Sequence, residues 1–206
     1  MDLTTQQNDA LTELINIGFG RAASALSDLS GFRVSLEVPR ITMHAVEQIG
    51  PLIGRLVTGE VASVNQVFNG AIAGNALLML DEKSATMLSR LLSEDSAVTG
   101  GFDASGQEII IEVGNILLNA CLSVFGDLLQ VRVSFAVPRL QVAGIGSILK
   151  TLLSESEELH HGMVIHTHFH LQACHLTGYL IIILGISSFE RMLQELQNWE
   201  KRQISC

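Results

Sequence analysis

The chain has 206 residues, 48% of them apolar and 16% charged, a composition that fills a sizeable core and excludes a disordered chain. Its formal net charge is -9, and its 12 Lys and Arg are scattered, which argues against nucleic acid as a partner because phosphate binding needs clustered cations. Three cysteines, Cys121, Cys174 and Cys206, lack CxxC spacing and read as reduced thiols, neither a zinc site nor a disulfide framework.

Residues 1–9 have neither the basic start nor the apolar core of a secretory signal, so a cytoplasmic chain is expected. The first predicted element is a long helix, because Leu11, Leu14, Ile15, Gly18, Ala22, Ala25, Leu26 and Leu29 fall on one stripe of the 3.6-residue period. A β-rich run follows at 33–46, with Val34, Leu36 and Val38 on one face. Two more strands are expected at about 59–68 and 71–80, then a short helix at 82–92. The stretch 93–105, rich in Ser, Gly, Asp and Ala, reads as a joint.

Beyond the joint the order of elements repeats. A second long helix carries Ile109, Val113, Leu117, Ala120, Val124 and Leu128 on its apolar stripe, with Gly106 and the polar loop before it marking its start. A strand run at 131–142 places Val133, Phe135 and Val137 on one face, strands follow at about 162–171 and 175–184, and a helix closes the chain at 187–199. The longest apolar run, 176–186, is far shorter than the roughly 20 residues of a spanning helix and reads as a buried strand, so no membrane insertion is expected.

This order is an internal duplication. Glu13 aligns with Glu112, Asn16 with Asn115, Pro39 with Pro138 and Arg40 with Arg139, each pair 99 positions apart without a gap. Further on the match is looser, with Phe68 against Phe169 and Gly74 against Gly178, so the second half carries a short insertion. The expected fold is α+β: one pseudo-two-fold domain over 1–206, with repeat halves of about 1–98 and 99–206. About six mainly antiparallel strands would form a sheet covered by two long helices and two shorter ones, the half-sheets pairing edge to edge to protect their edges.

Away from the leucine stripe, Asp9, Glu13, Asn16 and Gly20 recur at intervals of four, three and four and form one ridge of the first helix. Glu108, Glu112, Asn115 and Asn119 repeat it on the second. A wet helix face ordinarily carries Glu and Asn. Asn in a helix costs roughly 0.6 kcal/mol relative to Ala, however, so helix stability alone does not ask for it at the same place twice.

The spacing of an acidic or serine residue, then x3-Glu-x2-Asn-x22-Pro, resembles the signature of the CheC/CheX/FliY chemotaxis phosphatases. It occurs as Asp9, Glu13, Asn16 and Pro39, and again as Glu108, Glu112, Asn115 and Pro138. The run NIGFGRAASAL at 16–26 is also similar to the family's Asn-Ile-Gly-x-Gly-x-Ala-Ala. The resemblance implies a protein phosphatase acting on the aspartyl phosphate of a CheY-like receiver. Asn16 and Asn115 would orient the attacking water, and Glu13 and Glu112 would pair with the receiver's lysine. It implies no cofactor on this chain, since the Mg²⁺ sits on the receiver, and a CheD-like deamidase as a further partner. The second copy departs from the pattern: Glu108 replaces the usual Asp or Ser, and Asn119 stands where Gly20 leaves room for a partner's backbone, so the first ridge is expected to be the stronger. A non-catalytic interaction module of the flagellar switch remains open as the alternative.

Other motifs are weaker. His166, His168 and His170 project from one face of a predicted strand, with His160, His161 and His175 nearby, an arrangement that suits either a metal or the wet side of an antiparallel strand. The glycines Gly18 and Gly20 lie inside a helical period and form no phosphate loop, and no Gly-x-Ser-x-Gly, His-Glu-x-x-His or Walker sequence occurs.

Overall fold

In a computed structural model, residues 3–57, 59–93, 103–155, 159–171 and 174–204 are described. The first half runs α1 (Thr5–Ser30), β1 (Val34–Leu36), β2 (Arg40–Ala45), α2 (Val46–Ile53), β3 (Glu60–Gly70), β4 (Gly74–Asp81) and α3 (Glu82–Leu92). The second runs α4 (Ala104–Leu129), β5 (Val133–Phe135), β6 (Arg139–Gly144), α5 (Ile145–Glu155), β7 (Leu159–Leu171), β8 (Cys174–Gly185) and α6 (Ile186–Ile204). Most of the expected joint, 94–102, lies outside the described residues.

The two long helices start and stop for legible reasons. Thr4 and Gln7 form a capping box at the start of α1, and the Asp103 side chain caps α4 by accepting from the Gly106 amide. Each helix ends in a left-handed residue, Gly31 at φ 72° and its repeat partner Gln130 at φ 59°.

Each β-rich run that the sequence presents as one strand is two short strands. The break falls at Pro39 and at Pro138, which have no N–H to give to a ladder. Six expected strands therefore become eight in one antiparallel sheet of order β1-β7-β8-β4-β3-β5, with β2 also pairing β7 and β6 also pairing β3. The halves meet where β4 pairs β8, as edge-to-edge pairing requires, but they also exchange strands. The strands β1 and β2 of the first half lie against β7 of the second, and β5 and β6 lie against β3 of the first.

The sheet is covered on both faces, by the two long and two shorter helices expected and by two further helices, α2 and α5. One face carries the main core under α1, α3, α4 and α6, with Leu11, Leu14, Ile15, Val113, Leu117 and Phe189 among its buried residues. The other is covered in part by α2 and α5, whose Val46, Ile49, Ile53, Ile148 and Leu149 pack on Leu77, Met79, Ile181 and Ile183. That second layer explains why β4 and β8 read as continuous apolar runs instead of alternating. The stretch 104–127 is long and apolar enough to cross a membrane, and in this fold it is a core helix: Ile110, Leu117, Leu118, Cys121 and Leu122 are at most 1% exposed.

α1 and α4 pack closely at Gly18, where an added Cβ would lie 2.9 Å from the Cys121 Cα. Only a hydrogen fits there. On α1 the predicted stripe is buried from Leu11 to Ala22 and at Leu26, but Ala25 and Leu29 face out.

Candidate functional site

On α1 the expected ridge is where the sequence puts it. Asp9, Glu13, Asn16 and Gly20 are all exposed, opposite the buried Leu11, Leu14, Ile15 and Gly18. Among the described residues, the side chains of Glu13 and Asn16 have no hydrogen-bond or ion-pair partner. Nothing lies within 4 Å of where a Cβ on Gly20 would point.

On α4 the same ridge has a different environment. Glu108 and Glu112 are exposed, whereas Asn115 and Asn119 are half-buried. The Asn119 Nδ2 donates to the Asn115 Oδ1 at 2.7 Å, one helical turn away. The Asn119 Oδ1 in turn accepts from the Nε2 of Gln66 on β3 at 3.0 Å, and that nitrogen also donates to the Ala136 carbonyl at 3.1 Å. Asn119 is therefore folded back along its own helix instead of standing out as a bare obstacle.

Each ridge has a strand break beside it or in the equivalent place. In the second half the carbonyl bonded by Gln66 belongs to Ala136, two residues before Pro138. In the first half the equivalent carbonyl, Glu37, accepts from the hydroxyl of Thr167 on β7 at 3.0 Å. The residue between carbonyl and proline projects outward in both breaks: Val38 is 69% and Val137 83% exposed.

The importance of Gln66 escaped the sequence reading, although a signal existed. Ala62, Val64, Gln66 and Phe68 alternate on the core-facing side of β3, and a glutamine at such a position needs partners.

The histidine strand does not assemble a metal site among the described residues. His166 stacks on Tyr179 with ring centroids 4.9 Å apart and meets His168 edge-on at 5.0 Å. The other two have separate partners: His168 Nδ1 contacts the Thr177 hydroxyl at 3.2 Å, and His170 Nε2 contacts the Glu37 carboxylate at 2.7 Å. Burial, then the neighbouring His168 and Arg40, hold the His166 pKa below its usual value, with Glu37 opposing them. His161 is apart, stacked on Phe189 of α6. The side chains of His160 and His175 lie outside the described residues, as do those of Cys174 and Cys206. Cys121 is free and buried in the core.

Comparison with known proteins agrees with the motif. Residues 7–43 match the model of the CheC-like family. Over 93% of its length the chain is 25% identical to a Bacillus subtilis protein named CheY-P phosphatase CheC, of which it covers 94%. The fold is similar to that of Thermotoga maritima FliY, with a TM-score of 0.78 and 17% identity over 97% of this chain and all of that one. It is also similar to FliM, solved in a FliM-SpeE complex from H. pylori, with a TM-score of 0.69 and 10% identity over 97% of this chain and 98% of that one.

Proposed function

We propose that this CheC-like chain is a protein phosphatase that hydrolyses the aspartyl phosphate of a CheY-like response-regulator receiver. The observation that carries the reading is the Glu-x-x-Asn ridge itself, present on both long helices, with Glu13, Asn16 and Glu112 open to solvent and Asn115 half-exposed. The name of the Bacillus subtilis relative supports it.

The chemistry needs little from the protein beyond placement. An acyl phosphate is already reactive, so a group that holds water in line with it supplies much of the acceleration. Asn16 and Asn115 take that role, because a carboxamide both donates and accepts hydrogen bonds and adds no charge beside an anionic phosphoryl group. Glu13 and Glu112 pair with the receiver's lysine and fix the docking register. The Mg²⁺ that neutralises the phosphoryl oxygens belongs to the receiver, and this chain brings no cofactor. The reaction takes place in the cytoplasm, and a CheD-like deamidase is a further partner.

The likeness to FliM favours a second reading, a chemotaxis or flagellar-switch module that binds a receiver without hydrolysis. Docking alone does not require an asparagine in the same place twice. The two readings separate in one assay, the decay of a phosphorylated receiver with and without the chain. Phosphatase activity shortens the receiver's phosphorylated lifetime, and docking alone leaves it unchanged or lengthens it.

A further inference from the structure

We infer that Gln66 and Asn119 are positioning residues that lock the Asn115 carboxamide in one orientation, a device the ridge on α1 lacks. The inference concerns how the second site works and, in its kinetic consequence, rests on the phosphatase reading above.

The polarity of the chain of bonds is dictated from its buried end. The Ala136 carbonyl can only accept, so Gln66, 1% exposed, must turn its Nε2 toward it. The second hydrogen of that nitrogen then points to Asn119, which must present its Oδ1. With its oxygen so engaged, Asn119 offers its Nδ2 to Asn115, which must answer with Oδ1. What remains for an incoming group is the Nδ2 of Asn115 and the second lone pair of its oxygen. Each step follows from the one before, and reversing any amide would set two donors or two acceptors against each other. The arrangement leaves the buried Oε1 of Gln66 without a partner among the described residues, a cost it bears for keeping both donors in use.

The first ridge cannot build the same device. The position equivalent to Gln66 is Thr167 on β7, 2% exposed, whose hydroxyl has a single hydrogen, already donated to the Glu37 carbonyl. The position equivalent to Asn119 is Gly20, with no side chain at all. Asn16 is therefore free to rotate and to present either end of its amide, while Asn115 is preorganised. A group fixed in the productive geometry acts on the chemical step more than on docking.

Side-chain ¹⁵N relaxation on the full chain tests the lock without reference to activity. Asn115 Nδ2 is expected to be more ordered than Asn16 Nδ2, and Asn119→Ala or Gln66→Met should loosen Asn115 while leaving Asn16 unchanged. Asn119→Ala sits on a half-exposed helix position, so it tests the point even where the buried Gln66→Met does not fold. Equal mobility of Asn16 and Asn115 in the unaltered chain, or an Asn115 indifferent to Asn119→Ala, overturns the inference.

Kinetics then test its consequence. In an Asn16→Ala background, where only the second ridge acts, Asn119→Ala should lower kcat roughly threefold to tenfold with KM for the phosphorylated receiver unchanged. An unchanged kcat, or no residual activity in Asn16→Ala alone, overturns the role in the chemical step. If the relaxation result holds while the unaltered chain does not accelerate receiver dephosphorylation, the lock stands and the phosphatase reading falls.

Discussion

Gly18 lies so close to Cys121 that a Cβ built on the glycine would sit 2.9 Å from the cysteine Cα, whereas Gly20, two residues on, faces open space. The two glycines of one short motif thus have opposite tasks. Gly18 lets the two long helices touch, and Gly20 clears ground beside Asn16.

Opposite substitution effects follow. Gly18→Ala must push backbone from backbone and should destabilise the fold by roughly 1–3 kcal/mol. Gly20→Ala should stabilise it by up to about 1 kcal/mol, the ordinary gain in an exposed helix interior. If Gly20 admits the receiver's backbone, that same variant raises KM at the first ridge. Urea denaturation of both variants checks the signs, and receiver titration checks the KM.

Gln130 repeats the left-handed position that Gly31 holds at the end of α1, but with a side chain. Left-handed backbone costs an L-residue roughly 1 kcal/mol. Gln130→Gly is expected to raise the urea midpoint by the equivalent of about 1 kcal/mol with an unchanged m-value. A lower midpoint would show that the Gln130 side chain contributes more than its backbone strain removes.

Because, among the described residues, β1 and β2 pair only across to β7, and β5 and β6 only to β3, neither half completes its own part of the sheet. Chains cut at 98/99 are expected to show no cooperative unfolding transition separately, since each exposes long unpaired edges. Mixing them should restore one. Circular dichroism with urea, on each half and on the mixture, distinguishes this from two self-sufficient repeats.

His166 gives the fold a pH dependence whose sign is fixed. Its folded pKa lies below the ordinary histidine value of about 6.5, so the unfolded chain takes up the proton first. The neutral ring's full contribution is present above about pH 6.5 and is lost as pH falls through the depressed folded value. His166→Asn should therefore reduce the decline in Tm between about pH 7 and pH 5. An equal or steeper decline in the variant would show that another group controls it.

How much of this was legible in the sequence depends on whether the signal was local. Periodicity fixed α1 and α4, and the 99-residue offset exposed the duplication and both ridges at Glu13, Asn16, Glu112 and Asn115. The residue pattern around Pro39 and Pro138 was visible too, but not that each proline divides a strand. Neither α2 nor α5 was read from the sequence; for α2, 46–53 contains Gly50 and Pro51 and follows a strand directly, so its eight residues read as a strand tail and loop. Leu77, Met79, Ile181 and Ile183 carried a hint of that second layer, since runs apolar on both sides need two covers. Strand exchange and the Gln66–Asn119–Asn115 chain are contacts between distant residues, on which one-dimensional spacing is silent.

The proposed phosphatase activity depends on the two asparagines, Asn16 and Asn115. The direct measurement is the decay of a phosphorylated CheY-like receiver, in Mg²⁺, with the unaltered chain and with Asn16→Ala/Asn115→Ala. Accelerated decay is expected with the former and the receiver's own rate with the latter, whose circular dichroism and Tm stay those of the unaltered chain. Acceleration that survives in the folded double variant would contradict that dependence.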